Sequence, residues 1–247
     1  MENSEERKGK FSASRISELL AGGTGKTRDN YIYDLANEVL GLRKELDTLA
    51  MKHGTANQLN AFEFVIKPLF VGARWLDTYI PINELCGASP DIMIDDTIPA
   101  DVKCPFYIDT YIEQINKVPT KYYQQVQMQM MATGGDVGIL CFYLTKPMEW
   151  GEETVVEFPF PLEDRFRIFE FKKDEEVQES ILKAVAIAEP KKQLLITMLK
   201  NATPMDEIEF FYHQMKGNKL RKLKEASNMY NVTTIYRVND QFYYEIK

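Results

Sequence analysis

Apolar residues recur with helical spacing in three places before residue 70. In the segment SASRISELLA (12–21), Ile16, Leu19 and Leu20 share one face. The same period runs through YIYDLANEVLGL (31–42) and through residues 45–70, where Pro68 marks the end. The period then changes. Trp75–Ile82, Ala88–Ile94, Ile98–Cys104, Val137–Leu144 and Thr154–Phe160 are short and apolar, with β-branched and aromatic residues, which predicts strands. Lys121–Thr133 returns to a helical pattern, and Gly134-Gly135-Asp136 stops it, because glycine accepts the left-handed conformation at a helix end. Residues 163–200 are expected to be largely helical, with a break at Pro190. The final segment VTTIYRVNDQFYYEI predicts two strands around an Asn239-Asp240 turn. Helices, then strands interrupted by one helix, then helices predict a mixed sheet flanked by helices over residues 1–190. A small helix-plus-hairpin addition is expected over 191–247.

Composition narrows the class. With 45% hydrophobic and 27% charged residues, 247 residues can bury the core of an ordinary domain, which excludes a disordered chain. No apolar run approaches the roughly 18 residues of a membrane span. The first residues, MENSEERKGK, lack a signal-peptide pattern, so a cytoplasmic protein is expected. Cys86, Cys104 and Cys141 are far apart and form no CxxC pair, which speaks for a reducing compartment. Three cysteines and two histidines (His53, His213) are a poor donor supply for zinc or an iron–sulfur cluster. The net charge of −7 argues against a uniformly basic nucleic-acid coat. It conceals an asymmetry: residues 191–247 carry 10 Lys+Arg against 6 Asp+Glu, so the rest of the chain is the more acidic. Lys216, Lys219, Arg221, Lys222 and Lys224 stand close together there, followed by Tyr230, Tyr236, Phe242 and Tyr243. Such a stretch suits a DNA- or partner-binding addition, and equally a solvated helix beside inward-packed strands.

Gly22-Gly23-Thr24-Gly25-Lys26-Thr27 resembles a nucleotide-binding loop and fails its pattern. The position five residues before Gly25 is Leu20, not glycine, and a helix rather than a buried strand precedes it. The loop remains a candidate for holding a DNA phosphate through its backbone N–H groups, Lys26 and Arg28, or a plain helix connection.

The chemistry concentrates in GASPDIMIDDTIPADVKCP (87–105). Two strands joined by a polar turn at Asp95-Asp96 place Asp91 beside Asp101. Alternation puts Asp101 and Lys103 on one face. The strand is otherwise apolar, so its charges need a reason. Two carboxylates, the Val102 carbonyl and a nearby ammonium suit Mg²⁺-dependent hydrolysis of a phosphodiester, since Mg²⁺ takes oxygen ligands and activates water. A surface hairpin with a solvated Asp–Lys pair is the competing reading.

These motifs resemble the PD-(D/E)XK nuclease signature in the form found in the lambda-exonuclease/YqaJ-type viral recombinase family. Ser89-Pro90-Asp91 matches its SPD motif, Asp101-Val102-Lys103-Cys104-Pro105 its (E/D)xKCP strand, and Tyr122 to Gln127 its Tyr-x-x-Gln-x-Gln helix. Arg7 with Ser12-Ala13-Ser14, the segment Tyr31 to Val39, and a glycine-headed helix from Gly54 also fit. The resemblance covers roughly residues 7–170. It implies an α/β restriction-endonuclease-like fold, with Asp91 and Asp101 as metal ligands aided by Val102, and Lys103 as the catalytic lysine. It places Gln125 and Tyr122 in the cleft, and Arg7, Ser12 and Ser14 on the 5′-phosphate of a DNA end. Tyr122, Gln125 and Gln129 share one helical face.

Two positions depart from the pattern. Gln58 stands where the family usually has glutamate, and it supplies an oxygen without the negative charge. Glu63 lies about 140° further round the helix and cannot replace it. Asp101 stands for the commoner glutamate, with a carboxylate set back by about one ångström. The resemblance implies a Mg²⁺-dependent (or Mn²⁺-dependent) 5′–3′ exonuclease acting on double-stranded DNA ends in the host cytoplasm. A homo-oligomeric, ring-shaped trimer and a single-strand annealing partner are implied with it. The alternatives are an endonuclease of the same fold, a weakened module that binds DNA ends, and a nucleotide-binding protein.

Overall fold

The computed structural model describes residues 6–22, 25–42, 48–76, 78–145, 148–149, 152–153, 161–201, 203–204, 232–238 and 241–246. The chain divides into two compact units. One comprises Met1–Tyr31 with Glu45–Ile187, the other Ile32–Lys44 with Ala188–Lys247.

The first unit is built on two sheets. The short strand β1 (Phe11–Ser12) pairs in parallel with β4 (Cys86–Ala88), which pairs antiparallel with β3 (Ile80–Pro81). The larger sheet has five strands in the order β10-β7-β6-β5-β2. They are β2 (Arg74–Trp75), β5 (Ile92–Ile94), β6 (Ile98–Lys103), β7 (Val137–Tyr143) and β10 (Phe166–Lys172). A small hairpin, β8 (Met148–Glu149) with β9 (Glu152–Glu153), lies between the last two in sequence. β6 and β7 run parallel with Asp101 opposite Leu140, and the other pairs in this sheet are antiparallel. The helices of this unit are α1 (Ile16–Leu19), α3 (Leu49–Ala61), α4 (Ile108–Asn116) and α5 (Thr120–Thr133), with the first parts of α2 (Lys26–Val39) and α6 (Glu175–Asn201), which belong to the second unit from Ile32 and from Ala188 onward. The architecture is the mixed α/β sheet flanked by helices that the sequence predicts.

Both faces of the central strands are covered, which explains their near-continuous apolar runs. On one face Ala100, Val102, Ile139, Cys141 and Tyr143 pack with Ala61, Phe62, Val65 and Ile66 from the end of α3 and the π-helical turn Phe62–Ile66 that follows it. On the other, Leu140 and Phe142 meet Val126 and Met130 of α5 and Tyr111 of α4. Asp101 and Lys103 alternate with Ala100 and Val102, so they face the α5 layer.

Several expectations are refined. The segments read as single strands at 75–82 and 88–94 are each divided, with one piece in each sheet. Pro90 lacks an N–H and cannot continue a ladder, so the chain changes sheets at Ser89-Pro90-Asp91. Residues 166–172 form a strand where a helix was expected. FRIFEFK is a two-residue alternation, with Phe166 and Ile168 against one core and Phe169 and Phe171 against the other. α6 runs through Pro190 unbroken. α4 was not anticipated. α3 begins at Leu49, capped by Thr48, which accepts from Met51 N–H at 3.2 Å, so Gly54 lies inside the helix rather than at its head. Gly134 closes α5 in the left-handed conformation, as expected. The expected strand at 154–160 and the basic run at 216–224 lie outside the described residues.

The second unit holds a three-stranded sheet in the order β11 (Thr203–Pro204), β13 (Gln241–Ile246), β12 (Val232–Val238), all antiparallel. The two C-terminal strands are those the sequence predicts.

Gly135 sits against the β5–β6 turn so closely that a Cβ there would strike the Thr97 carbonyl oxygen, which also accepts from the Thr133 hydroxyl at 3.0 Å. Gly135→Ala is therefore expected to destabilise the protein by about 1–3 kcal/mol. Gly22→Ala, where a Cβ would meet open space, is expected to change little. Chemical denaturation of both variants checks the difference.

Candidate active site

The site forms where β5 and β6 part. Ile92 is the last residue of β5 toward the site, paired with Ala100. Beyond it Pro90 leaves the sheet, and the Val102 N–H is bonded instead by the Asp91 side chain, whose Oδ2 accepts it at 2.8 Å. The register that pairs Ile92 with Ala100 sets Asp91 opposite Asp101. The tight turn predicted at Asp95-Asp96 is present, with Asp95 at φ +49°.

Asp101 is 1% exposed, on a strand face packed against α5. Its Oδ1 accepts from the side-chain amides of both Gln125 and Gln129, the latter at 2.9 Å. Its Oδ2 meets Lys103 Nζ at 2.6 Å. The Lys103 ammonium also lies 5.2 Å from the centre of the Tyr122 ring, which packs edge-on against Phe142. The predicted face of α5 thus meets the predicted face of β6. Gln129 had been placed on that face but not among the site residues. The signal that finds it is a neutral polar residue one turn beyond Gln125 on a helix whose neighbouring positions are apolar.

Gln58 approaches from the opposite layer. Its Nε2 donates to Asp91 Oδ2 at 3.2 Å and to the Val102 carbonyl at 3.4 Å. Gly54, one turn earlier on α3, faces the Cys104 carbonyl, where an added Cβ would make an ordinary contact at 4.0 Å. Glu63 points away and pairs with Lys67 at 2.8 Å.

The charges perturb one another. Burial first, then the Asp101 charge, raise the Asp91 carboxyl to about 7, against the opposing pull of Lys103 and the Val102 N–H. Burial works against the Lys103 charge, but Asp101 and Asp91 outweigh it and hold its pKa above the ordinary lysine value. Among the described residues, no group of three or more His, Cys, Asp or Glu side chains comes together. The oxygens on offer are two carboxylates, the Val102 carbonyl and the Gln58 amide. Two of these acceptors, Asp91 Oδ2 and the Val102 carbonyl, converge on a single Gln58 donor, the arrangement that a small hard cation also satisfies.

The N-terminal candidates form a second cluster. Arg7 donates to Ser14 Oγ at 3.3 Å, and Ser12 Oγ lies 3.3 Å from Ser14 Oγ. The Ser12 N–H donates to the Tyr31 hydroxyl at 2.9 Å, and the Arg15 guanidinium stacks over the Tyr31 ring at 4.3 Å. Tyr31 thereby anchors the backbone of the serine turn, a role that the pattern of the Tyr31 to Val39 segment does not disclose. Arg28 donates to the Ala21 carbonyl at 3.0 Å, which closes its own loop, and Lys26 stands exposed at the start of α2. Among the described residues, no hydrogen bond joins either of them to the serine pair. His53 is fully buried, with Nε2 2.8 Å from Thr145 Oγ1, and burial lowers its pKa, so it is a packed core histidine.

A mixed sheet flanked by helices, with two acids and a lysine gathered where strands diverge, is the restriction-endonuclease-like arrangement. Residues 4–136 match the family described as the YqaJ-like viral recombinase domain, and the chain belongs to that family. Among solved structures, it is similar to an alkaline exonuclease (LHK-Exo) from Laribacter hongkongensis. The identity is 25%, the TM-score 0.65, and the likeness covers 81% of this chain and 95% of that one. A second structure of that enzyme, in complex with dAMP, matches equally. A phage-related exonuclease from Haemophilus somnus 129PT shares the fold at 16% identity and TM-score 0.65, covering 77% and 96% of the two chains. No curated protein matches the chain. Among the described residues, no helix is long and apolar enough to cross a membrane.

Because the folded-state pKa of Asp91 is raised, the native protein keeps a proton that the unfolded chain has already lost near pH 4. Its contribution to stability is fully present at lower pH and is lost as pH rises toward 7. In chelator, melting temperature is expected to fall between pH 5 and pH 7.5, and Asp91→Asn is expected to flatten that slope. Calorimetry of both proteins across this range is the check; parallel slopes would show that Asp91 is not the group responsible.

Proposed function

We propose that the protein is a Mg²⁺-dependent exonuclease that hydrolyses linear duplex DNA from the 5′ end and leaves 3′ single strands. The observation that carries this reading is the convergence of Asp91, Asp101, the Val102 carbonyl and Lys103 at one strand end. Family membership and the likeness to the alkaline exonuclease support it.

In this reading Asp91, Asp101 and the Val102 carbonyl hold the divalent ion, with the Gln58 amide beside them. Bound there, the ion supplies Lewis acidity toward the scissile phosphate and eases deprotonation of the attacking water. Gln125 and Gln129 fix the Asp101 carboxylate by holding Oδ1, which leaves Oδ2 directed toward Lys103. The Lys103 ammonium offsets negative charge that builds on the phosphate in the transition state. Its raised pKa favours this role over that of a proton acceptor. The Tyr122 ring lies beside the Lys103 ammonium, and its π face favours the charged form there.

The Arg7–Ser12–Ser14 cluster gives the end preference. A guanidinium beside two hydroxyls offers charge and hydrogen bonds to a terminal phosphate, and Tyr31 ties the serine backbone in place. Lys26 remains available to the duplex backbone, whereas Arg28 braces its loop.

Digestion of 5′-phosphorylated linear duplex in Mg²⁺ tests the activity. Wild type is expected to degrade it and to leave covalently closed circles intact, with Lys103→Ala slower by about 10²–10³-fold. Equal rates for the two proteins would end this mechanism, and cutting of closed circles would favour an endonuclease. Arg7→Ala is expected to lower the preference for 5′-phosphate over 5′-hydroxyl ends by about tenfold, the loss of one hydrogen bond to a charged group. A competition between the two substrates reads this ratio directly.

A further inference from the structure

We infer that Gln58 is a two-position gate of the cation site: without a divalent ion its amide nitrogen takes the ion's place, and the amide turns over when the ion enters. The inference rests on the proposed metal site and concerns how that site fills.

The geometry leaves the amide little choice. Gln58 reaches between two acceptors, Asp91 Oδ2 at 3.2 Å and the Val102 carbonyl at 3.4 Å. The Val102 carbonyl can only accept, and Asp91 Oδ2 already accepts from the Val102 N–H, so the group facing them must be the amide N–H₂ and not the carbonyl. The nitrogen thereby spans two of the three oxygen donors that the proposed function assigns to the cation. A cation held by these residues would repel the partial positive charge of that N–H₂ group and attract the Oε1 end. Rotation about the last side-chain bond exchanges the two ends with little displacement of the helix. Gln58 thus stabilises the empty site, and an entering ion must displace this pairing before it gains the amide oxygen.

The charge balance follows from the same residues. Asp91 and Asp101 against Lys103 leave the site at one net negative charge when both acids are ionised, so a neutral side chain at position 58 keeps cation affinity modest. A carboxylate there removes the gate and adds a second net negative charge. Gln58→Glu is therefore expected to bind Mn²⁺ more tightly, by about tenfold or more. In chelator it is also expected to melt at a lower temperature than wild type, because three carboxylates then crowd one lysine.

Two measurements on the full-length protein, neither of them activity, test the gate. In the first, Mn²⁺ is titrated into chelator-stripped wild type, Gln58→Glu and Asp101→Asn, and free Mn²⁺ is read by electron paramagnetic resonance. The expected order of affinity is Gln58→Glu, wild type, Asp101→Asn. In the second, the Gln58 side-chain N–H₂ resonances are identified by their loss in Gln58→Glu and followed in a ¹⁵N-labelled sample during a Mg²⁺ titration. They are expected to shift, and to lose protection from solvent exchange, as the site fills. Resonances unchanged at saturating Mg²⁺, or Gln58→Glu binding Mn²⁺ no more tightly than wild type, would overturn the gate while leaving the nuclease reading intact. Failure of all three proteins to bind Mn²⁺ would overturn both.

Discussion

A carboxylate buried in the middle of a sheet constrains the rest of this structure. Asp101 is almost wholly removed from water on a strand whose neighbours are Ala100 and Val102. An ionised side chain there is tolerable only if every oxygen is met. Two glutamines on one face of α5 supply Oδ1, and Lys103 supplies Oδ2. The consequences spread outward. α5 must cross this sheet face at a fixed rotation, so its apolar positions, Val126 and Met130, fall on Leu140 and Phe142. The Lys103 ammonium in turn lies beside the Tyr122 ring, one turn before Gln125 on the same helix. The polar pairing and the apolar packing specify the same helix placement.

Much of this was legible in the chain. Alternation put Asp101 and Lys103 together. The helical period put Tyr122, Gln125 and Gln129 together. The turn at Asp95-Asp96 brought Asp91 back to Asp101. What the sequence did not disclose is which face of which helix meets which face of which strand, because that is decided by packing between distant segments. Gln129 and Tyr31 acquire their partners only in that way. The failures have local causes. FRIFEFK reads as helix or strand by apolar content alone, and only its pairing with β7 decides. Pro190 interrupts a helical hydrogen bond but leaves enough of its neighbours satisfied for α6 to continue. The divided strands at 75–82 and 88–94 reflect a change of sheet, which periodicity does not register.

The N-terminal cluster and the strand-end site are carried by different elements of the first unit, which meet where α5 packs on the turn that bears Ser14. The strand-end site is carried by long elements, β6, α5 and α3. The other sits on a two-residue strand and a single turn, and it is held by the Tyr31 hydroxyl and by the pairing of β1 with β4. Arg7 and Ser14 are therefore positioned through their neighbours' backbone, and their geometry depends on the β1–β4 register staying where Phe11 pairs with Cys86.

Val102 contributes to the strand-end site with atoms that every amino acid possesses. Its N–H holds Asp91 and its carbonyl faces Gln58, while its side chain lies in the opposite core. Replacement of the valine would alter how tightly the sheet fills that core but would leave both polar atoms where they stand. Stability can therefore be retuned at this position without erasing that part of the site.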